Sequence, residues 1–253
     1  MSSYWINSVD NLSKFNKIDK DYDCDVCIIG GGITGLSSAY YLSKAGLKVI
    51  VLEKDELFQK TSGNTTAKIT YNHNLIYNYL INSYDEKFAK GYLDANKQAI
   101  QNIKNIIDEE NINCDFEYQD NYIYTINQDE LPKIHAEINA INNLGGNAKF
   151  VTSTPLPFKI AGAMVTKNQA QFHPIKYMQR LVNCITKKSS LIFCNSCVTD
   201  FKKIENGFVT FVNGNKVKSK YVICASHYPF KKITRILFCK NVSINILCTW
   251  NWY

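Results

Sequence analysis

The sequence predicts an α/β fold: a parallel sheet covered on both faces, begun by a βαβ unit and interrupted by an inserted α+β lobe. Three observations predict it. Two short apolar, β-branched runs, Asp25-Val26-Cys27-Ile28-Ile29 and Lys48-Val49-Ile50-Val51-Leu52, lack the polar alternation of half-exposed strands, as buried parallel strands do. The first run ends at three glycines, and helical spacing follows. In the middle third of the chain the apolar period switches from helical to alternating, which marks a second structural unit.

Each element follows from its own residues. Residues Ile33 to Ala45 carry apolar side chains at helical spacing (Leu36, Ala39, Tyr40, Leu42), and Gly46 is the stop. Strand, helix and strand together make a right-handed βαβ unit. Thr61 to Thr70, rich in Ser, Thr, Gly and Asn, reads as a loop or helix entry. From about Leu75 to Asn111 the spacing is helical, and then Phe116–Tyr118 and Asn121–Thr125 alternate as a hairpin does. Asp129 to Asn143 is helical, and short strands broken by Pro155 and Pro157 follow. Pro174 opens a further helix. After it come a strand at Leu191–Phe193, a polar hairpin turning at Asn213-Gly214-Asn215, and a buried strand at Tyr221–Ala225. The expected organisation is a lead-in at 1–22, a nucleotide-binding domain in two parts at 23–75 and 166–230, a lobe at 76–165, and a tail at 231–253.

Composition narrows the function classes. A chain of 253 residues that is 45% hydrophobic is globular and long enough to bury a core without staples. The net charge of +7 comes almost wholly from lysine, since the only arginines are Arg180 and Arg235. These lysines are scattered and often stand beside acids, as in Glu53-Lys54-Asp55, so no basic stripe for nucleic acid is expected. No apolar run is long enough to span a bilayer, and residues 1–20 lack the core of a signal peptide. A cytoplasmic protein with reduced cysteines is expected.

The glycine cluster carries the chemistry. Gly30-x-Gly32-x-x-Gly35 stands between a strand and a helix, and Glu53 ends the next strand. The first glycine permits a tight turn, the second lets backbone approach a pyrophosphate, and the third lets helix pack closely on strand. The helix N-terminus offers unpaired N–H groups to the phosphates, and a carboxylate at Glu53 accepts from ribose hydroxyls. The cofactor is FAD or NAD. The segment Thr61-Ser62-Gly63-Asn64-Thr65-Thr66-Ala67-Lys68 favours a flavin, because its hydroxyls suit a pyrophosphate and ribityl chain.

The runs D-V-C-I-I-G-G-G-I-T-G-L, V-I-V-L-E-K, T-S-G-N-T-T-A-K-I-T, Q-A-Q-F-H-P-I-K-Y and A-S-H-Y-P-F, with Ser3-Tyr4-Trp5, resemble FAD-dependent oxidoreductases of the D-amino-acid oxidase superfamily. The similarity is greatest to a glycine/sarcosine-oxidase-like branch often fused to a Rieske domain, and it covers residues 3 to about 234. It implies a Rossmann-like FAD domain with a substrate lobe, and oxidation of an amine or amino acid by hydride transfer to flavin N5, with no catalytic acid or base named. It implies that Gly30, Gly32 and Gly35 hold the pyrophosphate, that Glu53 holds the adenosine ribose with Lys54 beside it, and that Ser62, Gly63, Thr65 and Thr66 line the phosphate and ribityl path. Val198 is implied to pair its backbone with adenine, Ala225 to pass the cofactor at a strand end, and Lys68 to lie toward the flavin ring.

Other constellations read as structural. Cys24-x-x-Cys27 and Cys194-x-x-Cys197 lie in or beside strands without knuckle turns, so no metal is expected. The four histidines show no cluster spacing; His173 is read as a helix-entry residue and His73 as a hydrogen-bonded packing residue. After Thr234 the chain departs from the family pattern, reading R-I-L-F-C-K-N-V-S-I-N-I-L-C-T-W-N-W-Y. One permitted codon choice, shifted by one base, restores a family-like text. A one-base shift after Thr234, and a fold incomplete at the C-terminus, are therefore expected.

Overall fold

The computed structural model describes residues 3–226. The tail expected to be aberrant, with the departure after Thr234, lies outside the described residues. In chain order the elements are α1 (Tyr4–Asn7), β1 (Tyr22–Ile29), α2 (Ile33–Lys44), β2 (Val49–Leu52), β3 (Lys68–Ile69), α3 (Tyr77–Ser83), α4 (Glu86–Glu109) and β4 (Glu117–Thr125). There follow α5 (Leu131–Asn143), β5 (Ala148–Val151), β6 (Gly162–Gln171), α6 (Pro174–Thr186), β7 (Leu191–Phe193), β8 (Val198–Ile204), β9 (Gly207–Val212) and β10 (Asn215–Cys224). Single 3-10 turns lie at Thr61–Asn64 and Gln128–Glu130. The described chain forms two compact units, one of residues 3–66 and 173–226 and the other of residues 67–172. The second unit begins before the expected lobe boundary at 76 because β3 pairs with Ala170 and Gln171 of β6.

The first unit is built on a six-stranded sheet in the order β7-β2-β1-β10-β9-β8. The first four strands are parallel; β9 and β8 continue as an antiparallel meander. Alternate residues of the central strands face opposite ways. Cys27, Ile29, Ile50 and Leu52 pack with Phe193, Phe201 and Val212, while Ile28 looks toward α2, where a methyl at Gly35 would lie 3.4 Å from its Cγ2. Both faces of β2 and of the second half of β1, Val26–Ile29, are buried, which is why these stretches read as unbroken apolar runs. α2 ends where expected: Gly46 has φ +86° and donates to Ser43 O, and Leu47 donates to Leu42 O, the Schellman arrangement. The β9–β10 turn has positive φ at Asn213 (+47°) and Gly214 (+82°), the combination a two-residue turn between twisted strands requires.

The second unit centres on β6, with β4 along one edge and β5 and β3 along the other, all antiparallel. The helical stretch expected from about Leu75 to Asn111 is divided between two helices, α3 and α4. The chain breaks at Tyr84 (φ −128°, ψ −97°), and the Asp85 side chain caps α4 by accepting from the Phe88 N–H at 2.6 Å. The expected hairpin around residue 120 is the one strand β4, whose pairing with β6 shifts between Gln119 and Asn121. A bulge resets the alternation, and in sequence the reset looks like a second strand. In the first unit, Tyr221–Cys224 is less covered than expected: Tyr221 is 65% exposed, since β9 pairs with β10 only as far as Ser219.

Glu137 of α5 is fully buried and accepts from the N–H groups of Tyr77 (2.7 Å) and Asn78 (2.9 Å), capping α3 from a neighbouring helix. Burial pushes its carboxyl above the usual glutamate range, opposed in part by those backbone donors.

Two predictions follow from this packing. Ile50→Ala, at a fully buried position in β2, should lower unfolding free energy by about 2–5 kcal/mol in urea titrations. The raised Glu137 value means the native state holds its proton to higher pH than the unfolded chain. Stability from this group is therefore full below the ordinary glutamate pKa and is lost as pH rises through the native value. Urea midpoints should fall over that window, and Glu137→Gln should remove the fall.

Candidate functional site

β1, β2, β7 and β10 end in register: Ile29 pairs with both Leu52 and Cys224, and Leu52 pairs with Phe193. Gly30, Glu53, Cys194 and Ala225 therefore stand side by side along the carboxyl ends of the parallel strands. In open α/β sheets this is the edge at which ligands bind.

Gly30 turns the chain at φ +111°, and a side chain there would also meet Ala225 O at 2.4 Å. Gly32 is the N-cap of α2 and makes no side-chain capping bond. Gly35, one turn into the helix, approaches so closely that a Cβ would lie 1.9 Å from Gly30 O. These contacts seat the start of α2 directly on the end of β1. No acidic residue occupies the first turn of α2, so its positive dipole end is not neutralised from within.

The Glu53 carboxylate is turned toward this helix entry. Its Oε2 accepts from the Gly31 N–H at 2.7 Å, and its Oε1 from the Asp55 N–H at 3.0 Å. Lys54 beside it is exposed and pairs loosely with Asp55 at 3.9 Å. The third wall is the turn at residues 61–64. Ser62 Oγ accepts from the Ile33 N–H at 3.0 Å, and Gly63 is packed so that a Cβ would meet Phe58 O at 1.5 Å. Thr65 and Thr66 lead out of this turn. Val198 starts β8 and is buried, two residues after Ser196, whose N–H donates to Glu53 O at 2.8 Å.

Of the residues singled out in the sequence, Gly30, Gly32, Gly35, Glu53, Lys54, Ser62, Gly63, Thr65, Thr66, Val198 and Ala225 all fall in the first unit. Lys68 is an exposed residue of β3 in the other unit. Sequence reasoning passed over Gly31, whose amide binds Glu53 and where a side chain would strike Leu57 Cδ2 at 2.5 Å. It also passed over Asn195 and Ser196, whose N–H groups hold Asp55 O (3.2 Å) and Glu53 O. The available signals were the third consecutive glycine and the Asn-Ser pair after a strand.

The cradle suits a dinucleotide with a diphosphate. Backbone and a hydroxyl crowd the helix N-terminus where side chains cannot enter, and the Glu53 carboxylate stands at the end of the next strand. The C-x-x-C thiols do different work: burial pushes Cys24 and Cys27 up to about 12 and Cys194 up to about 11. They stay protonated near neutral pH and serve as packing groups. His173 caps α6 through Nδ1, which accepts from the Lys176 N–H at 3.3 Å. His73 Nε2 lies 3.4 Å from Asn96 Oδ1 in the second unit, and burial holds its pKa below the ordinary histidine value. Among the described residues no group of three His, Cys, Asp or Glu gathers as metal ligands, and no helix is long and apolar enough to cross a membrane.

The model of the FAD dependent oxidoreductase family DAO matches residues 25–244. The putative Rieske 2Fe-2S iron-sulfur protein YhfW of Bacillus subtilis (strain 168) is 40% identical over 228 residues, covering 90% of this chain and 45% of the relative. Gamma-glutamylputrescine oxidoreductase of Escherichia coli (strain K12) is 24% identical over 232 residues, covering 89% of this chain and 54% of the relative. The chain spans about half the length of these curated relatives. Among solved structures, glycine oxidase from Geobacillus kaustophilus superposes with a TM-score of 0.67 at 16% identity, over 81% of this chain and 55% of the other. L-amino acid deaminase from Proteus myxofaciens gives 0.67 at 14% identity, over 85% and 48%. At such identities these two likenesses speak to the fold alone.

Gly35→Ala should force α2 off β1. We expect a loss of at least about 2 kcal/mol in unfolding free energy, measured by thermal or urea denaturation of the chain without ligand.

Proposed function

The chain belongs to the DAO family of FAD-dependent oxidoreductases, with FAD as its cofactor, and from that premise we propose that it oxidises a small amine or amino acid. The observation that carries the reading is the meeting, on one sheet edge, of the glycine turn, the Glu53 carboxylate and the Ser62 hydroxyl. Amine or amino-acid oxidation is supported by the name of a curated relative, an oxidoreductase of gamma-glutamylputrescine. The proposal includes a small-molecule substrate, no nucleic-acid partner, and a cytoplasmic setting.

In this reading each residue has a positioning task. The start of α2, from Gly32 to Gly35, directs amides and the positive helix end at the diphosphate. Glu53 exchanges one or both of its backbone donors for ribose hydroxyls and repels a 2′-phosphate. Ser62 bridges the helix entry and the phosphate path, with Thr65 and Thr66 continuing along the ribityl chain. Val198 would offer backbone to the adenine, and Ala225 would bound the cofactor at the end of β10. When bound, FAD supplies the two-electron acceptor for the substrate's α-hydrogen. The chain's contribution is to hold that acceptor and the substrate in one geometry.

Titration of the full chain with FAD, followed by flavin fluorescence quenching, tests the cofactor site. Glu53→Gln should raise the FAD Kd roughly 10- to 100-fold, the range for losing hydrogen bonds to a charged group. Anaerobic bleaching of bound flavin by a panel of amines and amino acids tests the activity. Bound flavin that no member of the panel bleaches would leave a nucleotide-binding chain without this activity.

A further inference from the structure

Both ends of the candidate cradle are tied to the segment that precedes β1. At one end, Ser3 Oγ donates to Gly63 O at 2.6 Å and Trp5 Nε1–H donates to Thr65 O at 2.8 Å, so the 61–65 loop is gripped at two backbone carbonyls. The grip is anchored from behind. The Trp5 ring meets His173 edge-on, with centroids 5.0 Å apart and planes at 71°, and His173 Nε2 lies 2.9 Å from Ser8 Oγ. Because His173 Nδ1 accepts from the Lys176 N–H, a neutral ring carries its proton on Nε2 and donates to Ser8. Ser8 Oγ in turn donates to Trp5 O at 3.2 Å.

At the other end, the Cys194 N–H donates to Asn16 O (3.2 Å) and the Ile18 N–H donates to Ser196 Oγ (3.0 Å). Ser196 is the residue whose amide holds Glu53 O. The Ile18 side chain sits in the same buried cluster as Ile29 and Leu52, the residues directly before Gly30 and Glu53. Between the two ends, the Ser13 N–H donates to Gln179 Oε1 of α6 at 3.1 Å. The segment thus spans from the loop bearing Ser62 to the strand end bearing Glu53 through bonds inside one compact unit.

We propose that residues 3–18 are a positioning brace for the FAD cradle, with Ser3 and Trp5 the positioning residues that set the 61–65 loop against the N-terminus of α2. The inference rests on the functional reading above. Its physical logic is selective: the brace engages carbonyl oxygens, which would repel a phosphate, and leaves the Ser62 hydroxyl at the helix end where the phosphates belong. Glycine at 63 serves the same end, since a side chain there would collide with Phe58 O and approach Ile6 Cδ1 to 3.2 Å.

The test measures FAD Kd by fluorescence quenching, with the visible absorbance shape of the bound flavin, well below the melting temperature of each ligand-free chain. Trp5→Phe keeps the ring and removes one donor, Ser3→Ala removes the other, and Ser3→Thr restores a hydroxyl. Trp5→Phe and Ser3→Ala should each raise Kd about fivefold, the size of one net hydrogen bond, and the double variant about 20-fold or more. Ser3→Thr should bind as the unaltered chain does, and the Trp5→Phe flavin spectrum should broaden toward that of free flavin. A purely structural role would lower the melting temperature and leave Kd of the folded chain unchanged. Kd values for the double variant within about twofold of the unaltered chain overturn the brace alone. Failure of the unaltered chain to bind FAD overturns the functional reading and the brace with it.

Discussion

Everything in the first unit depends on how closely α2 approaches β1. A Cβ on Gly35 would stand 1.9 Å from Gly30 O, and one on Gly30 would stand 2.4 Å from Ala225 O. Neither approach is open to any other residue without moving a helix or a strand. Once those backbones touch, the first amides of α2 face the gap beyond the ends of β1 and β2, and Glu53 can reach Gly31 across that gap. Sheet order, glycine positions and the carboxylate are therefore one constraint seen from three sides.

Much of this was legible in the sequence because the elements concerned are locally determined. The runs Val26–Ile29 and Val49–Leu52 are apolar on both faces, and the structure buries both faces. Gly46 and the Asn213-Gly214 pair sit where positive φ is needed, and no tertiary information is required to see it. His173 precedes Pro174 and caps α6 as its position implied.

What was not legible is what depends on distant partners. The start of α3 is fixed by Glu137, which reaches it from α5 some 60 residues later. The bulge in β4 shows only in its pairing with β6. At the site, the segment from Asn195 to Ser196 carries no motif, and its role comes from lying beside the end of β2. The lead-in is the extreme case. Beyond Ser3-Tyr4-Trp5 it is polar and unpatterned as text, yet it contributes Ile18 to the core and bonds both to the Ser62 loop and to Ser196, the residue whose amide holds Glu53 O.

In the proposed function, the turn from Gly30 to Gly35, with Glu53 and the 61–65 loop, holds FAD. Backbone hydrogen exchange of the full chain, with and without FAD, tests it most directly, because exchange reports amide by amide. The account predicts slowed exchange at residues 31–36, at 53–55 and at 62–66 when FAD is added. FAD binding that leaves those amides exchanging as before, with protection confined to other segments, would contradict it.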